Sequence, residues 1–160
     1  LLILLSCTFS GCTGFSYSLK GGSVPGKTFS IDNFENIAPL GSPGISIWIQ
    51  DLLRDRLIKE TSLKYVPENG DAHFQGTIVS YTISPVLGTG GTTVDLNRLT
   101  VGLKVTYTNS VDEKNDFAET FTNFDDFKSS EDISTQEEEL ISSIGNQIVN
   151  KVFNKVLADW

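Results

Sequence analysis

Apolar and polar residues alternate most regularly between residues 98 and 107. Leucine, valine and tyrosine occupy every second position, and arginine, threonine, glycine and lysine lie between them. Because successive side chains of a strand point to opposite faces, this period of two predicts a strand with one buried and one solvated face. A polar turn at 109–116 and a second β-rich stretch at 117–127 follow, so we expect an antiparallel hairpin.

Two other stretches have apolar residues at three- and four-residue spacings, which is the period of a helix. The first covers 43–61, with Ser42 at the N-cap position and Pro43 at the first helical position. The second follows a capping box at Ser134–Glu137. Its apolar stripe consists of Leu140, Ile141, Ile144, Ile148, Val152, Val156 and Trp160.

Shorter strands are predicted at 28–34, 63–66 and 74–84. In the last of these the apolar positions change parity between Ile78 and Val79, which indicates a bulge or burial on both faces. The order of elements favours an α+β fold. We expect a two-layer sandwich, with two helices packed on one face of a mainly antiparallel sheet of about four strands.

Composition narrows the class of protein. The chain has 160 residues, of which 39% are hydrophobic and 20% charged, so we expect one soluble globular domain. Its formal net charge of -8 argues against a nucleic-acid partner, because phosphate backbones would be repelled.

The apolar run at residues 1–5 resembles the core of a signal peptide without its initiator Met and basic start. It leads to Phe9-Ser10-Gly11-Cys12, which resembles a bacterial lipobox. We therefore expect residues 1–11 to be a signal-peptide remnant, 12–27 a lipidated tether and 28–160 a single α+β domain. The alternative is that Cys12 is buried or pairs with Cys7, the other cysteine of the chain.

On the lipobox interpretation, Cys12 carries a diacylglycerol and a fatty acid such as palmitate, which together give stable membrane anchoring. Thr13 is not the aspartate that retains some lipoproteins in the inner membrane, and no acidic residue precedes Asp32. We expect an outer-membrane lipoprotein, lipid-anchored on the periplasmic side.

Candidate chemistry is sparse. His73 is the only histidine, so a histidine-based catalytic triad has one candidate base and metal sites of the Cys/His type are not expected. The acidic group at 125–132 lacks the ligand spacing of a calcium loop and is predicted to be a solvated turn. Gly-Thr-Gly-Gly at 88–91 lacks the Lys-Ser/Thr of a phosphate loop and is predicted to be part of a loop at 86–95. We expect no enzyme activity, cofactor or metal.

Three basic residues form the candidate binding site. Arg98 and Lys104 share the polar face of the most regular strand, and Lys128 follows the next strand. Together these cations could contact anionic phosphates. The alternative is that they are ordinary solubilising charges.

Four stretches together resemble the LptE family of outer-membrane lipoproteins, particularly its Bacteroidetes-type members. They are GCTGFSYSLKGGSVPGKTFSIDNFENIAPL, NRLTVGLKVTYTN, FTNFDDFKSSEDIS and FNKVLADW, and they extend over nearly the whole chain after residue 11. The order and spacing of the four stretches carry the resemblance, since none of them is a catalytic motif.

The resemblance implies a non-enzymatic component of lipopolysaccharide transport and assembly. Such a protein plugs the LptD β-barrel, helps that barrel to assemble, and binds lipopolysaccharide through basic residues at one end of the sheet. Arg98 and Lys128 are the matching residues here, with Lys104 as a further candidate. The alternative function is a periplasmic outer-membrane lipoprotein that regulates a cell-wall synthesis enzyme.

Overall fold

A computed structural model describes residues 24–42, 44–86 and 95–157 of the chain. The helices are α1 (Gly44–Glu60) and α2 (Ile133–Leu157). The strands are β1 (Thr28–Ile31), β2 (Glu35–Asn36), β3 (Lys64–Tyr65), β4 (Ala72–Val86), β5 (Leu96–Asn109) and β6 (Phe117–Lys128). The signal-peptide remnant, Cys12, Pro43, the Gly-Thr-Gly-Gly stretch and Trp160 lie outside the described residues.

The described strands form one mixed sheet in the order β3-β1-β4-β5-β6, and β2 also pairs with β4. The three long strands β4, β5 and β6 are antiparallel neighbours, whereas β1, β2 and β3 make parallel pairs. Parallel pairing needs a crossover connection. The helix α1, which lies between β2 and β3 in the chain, is part of the connection from β1 and β2 to β3 and β4. The predicted α+β class is confirmed. The expected count of about four strands is too low, since the sheet has six among the described residues. The strand β3 lies within the stretch predicted at 63–66, whereas β2 was not predicted because two residues show no periodicity.

Both helices pack on the same face of the sheet, and the core lies between the two layers. The odd-numbered side chains of β5 from Leu99 to Tyr107 are at most 1% exposed, as the alternation predicted. The apolar stripe of α2 from Leu140 to Val156 is buried against them, which confirms that prediction for the described residues. Full burial of one such aliphatic side chain contributes about 1.5–3 kcal/mol.

The register of β4 shifts where its apolar positions change parity. The pairing of β4 with β5 is irregular between Ile78 and Ser80. Val79, at the bulge, is 36% exposed, whereas Ile78 and Tyr81 on either side are buried. The predicted bulge is confirmed, and it lets Ile78 and Tyr81, an odd number of residues apart, both face the helix layer.

The two helices contact each other at Gly145 of α2, where the absence of a side chain leaves room for the Trp48 ring of α1. A Cβ at Gly145 of α2 would lie 2.5 Å from Cζ3 of Trp48 on α1. Further along both helices, the Arg56 guanidinium lies 4.8 Å from the ring centroid of Phe153. Because both contacts advance in the same direction, the helices run parallel, with their N-termini at one end of the sheet.

The start of α2 differs from the prediction. The helix begins at Ile133, and the carboxylate of Asp132 accepts hydrogen bonds from the Ser134 N–H at 3.0 Å and the Ser134 hydroxyl at 2.9 Å. These hydrogen bonds hold the pKa of Asp132 below its usual value. The predicted capping box is wrong, because Asp132 caps the helix, two residues before the predicted cap Ser134. Glu137 instead accepts a 2.8 Å hydrogen bond from the Tyr81 hydroxyl.

The first described residues are held against one end of the sheet. Val24 is 5% exposed, and the Pro25 carbonyl accepts a 2.8 Å hydrogen bond from the Asn109 amide. The Asp71 carboxylate accepts hydrogen bonds from the N–H groups of Lys27 and Thr28, which lower its pKa. The chain therefore meets the domain at the end opposite to the N-termini of the helices.

Candidate functional site

The side of β4, β5 and β6 that faces away from the helices carries the predicted basic residues, and we call it the open face. No helix among the described residues packs on it. Its residues are mainly short and hydroxylated: Thr77, Ser80, Thr82 and Ser84 on β4, Thr100, Thr106 and Thr108 on β5, and Thr120 and Thr122 on β6. The predicted solvation of this face holds except at Gly102, which is buried because the Ser80 side chain covers it.

Arg98 is fixed at one end of the open face by the residue paired with it on β6. Its Nε and Nη2 donate hydrogen bonds of 2.7 and 2.9 Å to the two carboxylate oxygens of Asp126. Its guanidinium lies 3.7 Å from the ring centroid of Phe124, which is a cation–π geometry. The hydrogen bonds to Arg98 lower the pKa of Asp126, and those to Asp126 raise the pKa of Arg98. Both groups therefore stay charged, and their charges cancel locally.

Lys128 lies on the same face, two residues beyond Asp126 on β6 and opposite Leu96 in the register of the hairpin. Its ammonium contacts the Glu131 carboxylate at 3.4 Å, and its side chain is 63% exposed. Contacts of this exposed kind are weak and screened by salt, so Lys128 can exchange Glu131 for another anion.

Lys104 lies apart from the other two cations. It is six residues from Arg98 along β5, which places it about 20 Å away. Its register partners are Thr77 and Thr120, and it makes no ion pair with any described residue. The structure thus brings Arg98 and Lys128 together at one end of the open face and leaves Lys104 near the middle.

An acidic cleft lies beside the Arg98 end, between the end of β6 and the start of α2. It encloses about 450 Å³ and is lined by Asp125, Asp126, Glu131 and Glu139, with Leu140 among the apolar lining residues. These carboxylates repel a phosphate inside the cleft. A phosphate can bind beside the cleft only if Lys128 and Arg98 direct positive charge toward it and away from the carboxylates. Within the described ranges, no group of three or more metal-ligating side chains could hold a metal ion.

His73 takes part in a hydrogen-bonded group that resembles a triad in composition only. Its Nδ1 lies 2.8 Å from the Ser30 hydroxyl, and its Nε2 lies 3.4 Å from the Asp32 carboxylate. Ser30 is fully buried and accepts a hydrogen bond from the Gly70 N–H. A substrate cannot reach that hydroxyl, so the group joins β1 to β4 and to the turn before it.

Asp126 and Phe124 contact Arg98 in the candidate site, and the sequence reasoning did not place them there. Both lie within the stretch predicted as a strand, but their roles depend on the register of the hairpin. Arg98 and Asp126 are equally distant from Asp112 along the chain, so a hairpin folded symmetrically about that residue places them opposite each other. Placing the centre of the turn at Asp112 would have predicted the Arg98–Asp126 pair from the sequence.

Solved structures with a similar fold come from bacterial lipoproteins. A minor lipoprotein from Acinetobacter baumannii superposes with a TM-score of 0.54 and 14% identity, covering 83% of this chain and 94% of that one. The uncharacterized lipoprotein B of Nitrosomonas europaea gives a TM-score of 0.52 and 17% identity, covering 91% of both chains. A comparison with curated protein sequences gave no match. At these identities the likeness is one of fold, which is that of small α+β lipoprotein domains.

The family follows from a match to the sequence itself. The family model of LptE, described as lipopolysaccharide-assembly, matches residues 26–156. The chain belongs to the LptE family, which confirms the resemblance seen in the sequence. Members are non-enzymatic assembly lipoproteins, and membership implies a role in lipopolysaccharide assembly. Membership also indicates an outer-membrane lipoprotein. Among the described residues, neither helix is sufficiently long and apolar to cross a bilayer.

Proposed function

We propose that this protein is the lipoprotein that plugs an LptD-type outer-membrane barrel, assists its assembly and binds lipopolysaccharide. The observation that supports it most is the family match over residues 26–156, which includes every described strand and almost all of α2. The lipid anchor is Cys12, and the domain lies on the periplasmic side of the outer membrane.

Lipopolysaccharide binds, on this proposal, at the Arg98 end of the open face, with Lys104 as a weaker accessory contact. Lys128 exchanges the Glu131 carboxylate for a phosphate, and Arg98 offers Nη1, which donates to no other described residue. Asp126 holds the guanidinium plane in place, and the phosphate must compete with it for the positive charge. Binding is therefore moderate and falls as salt increases.

The proposed partner is tested by purifying the intact lipoprotein from detergent-solubilised outer membranes and identifying its companions by mass. We expect the lipopolysaccharide-assembly barrel encoded in the same genome. The Cys12→Ala variant should lose its lipid mass and its anchoring. A monomer that never captures the barrel would overturn the plug, and a lipid adduct on the variant would overturn the anchor.

The proposed ligand site has a matched control on the other layer. Arg98→Glu with Lys128→Glu should weaken retention of the protein on immobilised lipopolysaccharide. Arg54→Glu with Lys59→Glu makes the same charge change on α1 and should leave retention unchanged. Circular dichroism checks that both variants are folded. Equal retention of the two variants would show that Arg98 and Lys128 are ordinary solubilising charges and not a lipopolysaccharide site.

A further inference from the structure

The outer edge of β6 pairs with no other strand among the described residues. Along an antiparallel pair, the backbone groups of successive residues point alternately toward the partner strand and away from it. The Phe74 carbonyl on β4 accepts a 2.9 Å hydrogen bond from the Asp32 N–H, so it points away from β5. Carried through the register of β4, β5 and β6, the alternation directs the N–H and C=O groups of the even-numbered β6 residues to the outer edge.

One part of this edge is blocked by a side chain and another part is open. The Thr122 carbonyl accepts a 2.7 Å hydrogen bond from the Lys151 ammonium. The edge-facing backbone groups of Ala118 and Thr120 have no hydrogen-bond partner in the part of the chain that the structure describes. Unpaired edge groups are a template for another strand, so Phe117–Phe121 is a five-residue site for strand addition.

The helix side of this open stretch carries apolar surface that the core covers only in part. The Phe117 ring stacks on that of Tyr107 with centroids 5.4 Å apart, and the Phe121 ring lies 6.0 Å from that of Phe117. Both phenylalanines pack against the core from its border and keep part of their surface exposed. The opposite side carries Ala118 and Thr120, which are exposed. A strand that fits here therefore has apolar residues on the helix side and small polar residues on the other.

The chain itself contains a segment with this pattern. Residues 15–19, Phe-Ser-Tyr-Ser-Leu, lie outside the described residues, and their apolar and polar positions alternate strictly. Such an alternation is typical of a half-buried strand. Its five residues match the length of the open stretch, and both of its polar positions are serine, a short side chain that fits beside Ala118 and Thr120.

The segment precedes the point at which the chain enters the domain, close to the open stretch. Val24 belongs to the core, and the Pro25 carbonyl accepts a hydrogen bond from the Asn109 amide. Asn109 ends β5 at the end of the sheet where Phe117 begins β6. At ordinary strand spacings, a residue beside Phe117 on the outer edge lies about 12 Å from Asn109. The chain from Leu19 to Pro25 spans up to about 20 Å, so the segment reaches this edge.

Other unpaired edges among the described strands fit the segment less well. The outer edge of β3 offers only Lys64–Tyr65. The part of β4 that has no neighbour beyond β2 begins near Ser80, about 26 Å along the strand from Ala72, which is the register partner of Asn109. The chain between the segment and Pro25 is too short to span that distance.

We propose that residues 15–19 form a seventh strand of the sheet, antiparallel to β6 along Phe117–Phe121. The direction follows from the chain, which returns to the core at the Phe117 end. With Leu19 opposite Phe117, the two serines of the segment lie opposite the two edge-facing residues and exchange backbone hydrogen bonds with them. The three apolar side chains cover the exposed surface of the phenylalanines, and burial of that surface stabilises the added strand. Neither the barrel nor lipopolysaccharide is needed for this strand to form.

The added strand also determines where the lipid anchor leaves the domain. Cys12, the predicted lipid attachment, precedes Phe15 by three residues, which span about 10 Å. It therefore lies beside the part of the β6 edge that Lys151 blocks, along the side of the domain. Without this strand, the chain from Cys12 to Val24 would let the domain move up to about 40 Å from its anchor.

Hydrogen exchange at the β6 edge tests the added strand in the intact lipoprotein in detergent micelles. The Ala118 and Thr120 amides donate to the segment, so we expect them to exchange at least about tenfold more slowly than in the Ser16→Pro variant, which lacks a central N–H donor. The Glu119 and Phe121 amides donate to β5 and should be unchanged by the substitution. Equally fast exchange of the Ala118 and Thr120 amides in both proteins would overturn the added strand.

A disulfide separates this edge from other positions of the segment. Ser16→Cys with Thr120→Cys should form an intramolecular disulfide under mild oxidation, because directly paired residues have Cα atoms about 5.5 Å apart. Ser16→Cys with Tyr65→Cys places the second thiol on the β3 edge, and Ser16→Cys with Asn146→Cys places it on the outer surface of α2. Both controls should stay reduced, and peptide mass identifies any joined cysteines. A disulfide in either control alone, or one between two copies of the first variant, would overturn the assignment of the segment to β6.

Discussion

The two faces of β5 differ in burial: one packs against the helices and the other faces solvent. On the helix side, side chains from Leu99 to Tyr107 are almost completely buried, and their loss leaves cavities. On the open face, Arg98, Lys104 and the threonines contact solvent and cross-strand neighbours, and little of the fold depends on them. The difference teaches that adjacent residues of one strand can be substituted with very different effects on stability, so the proposed ligand site on the open face can be changed without disturbing the core.

The largest effect is expected in the centre of the buried face. Leu103→Ala removes a side chain that is 0% exposed and should lower the free energy of unfolding by about 2–5 kcal/mol. Lys104→Ala, at the next position, should stay within about 0.5 kcal/mol of the unsubstituted protein. Urea denaturation measures both. Similar losses from the two variants would remove the distinction between the faces.

A smaller loss is expected at the contact between the helices. Gly145→Val places atoms where the Trp48 ring lies, and overpacking of this kind costs about 1–3 kcal/mol. Combining it with Trp48→Leu, which vacates the space, should recover part of the loss in a double-mutant cycle. Strictly additive losses would show that Trp48 does not occupy the position opposite Gly145.

The hydrogen bond between Tyr81 on the sheet and Glu137 on α2 should contribute less to the free energy of unfolding. Tyr81→Phe removes the hydroxyl that donates to Glu137, for an expected loss of about 0.5–1.5 kcal/mol. Burial raises the pKa of Tyr81, so its hydroxyl remains a donor at neutral pH. Thermal unfolding of Tyr81→Phe and of Glu137→Gln, which keeps an acceptor, should show the greater decrease in Tm for the first. The reverse order would contradict the hydrogen bond.

The smallest effect is expected on the open face and depends on pH. Arg98 holds the pKa of Asp126 below its unfolded value, so the pair stabilises the fold above that value and its contribution disappears as pH falls through the folded pKa. Asp126→Asn should therefore lower the urea midpoint slightly near pH 7 and not at all once the pH lies below the folded pKa of Asp126. A deficit that is independent of pH would assign Asp126 a role other than its charge.

The periodic elements were predictable because burial imposes a period on the sequence. The alternation of β5, the parity change at Ile78 and the stripe of α2 all report which side of an element faces the core. The strand β3 lies within the short strand predicted at 63–66. The strand β2 was not predictable, since two residues carry no period. The start of α2 was ambiguous, because Asp132 and Ser134 are both good N-cap residues.

The candidate site was predictable in composition and not in geometry. Arg98 and Lys128 were identified as cations near one end of the sheet, but the neutralisation of Arg98 depends on Asp126, 28 residues away. That pairing requires the register of the hairpin, which turn geometry sets. The face on which the cations lie follows from alternation, whereas their distance from Lys104 and from the acidic cleft follows from the fold.

The separation of the two faces of β5 is tested most directly by changing one face and then the other. Arg98→Glu with Lys128→Glu reverses two charges on the open face, and Leu103→Ala removes one buried side chain on the helix side. Retention of the protein on immobilised lipopolysaccharide and the Tm are measured for both variants. We expect the first variant to lose retention and keep its Tm, and the second to keep retention with a lower Tm. Full retention by the first variant would contradict the assignment of lipopolysaccharide binding to the open face.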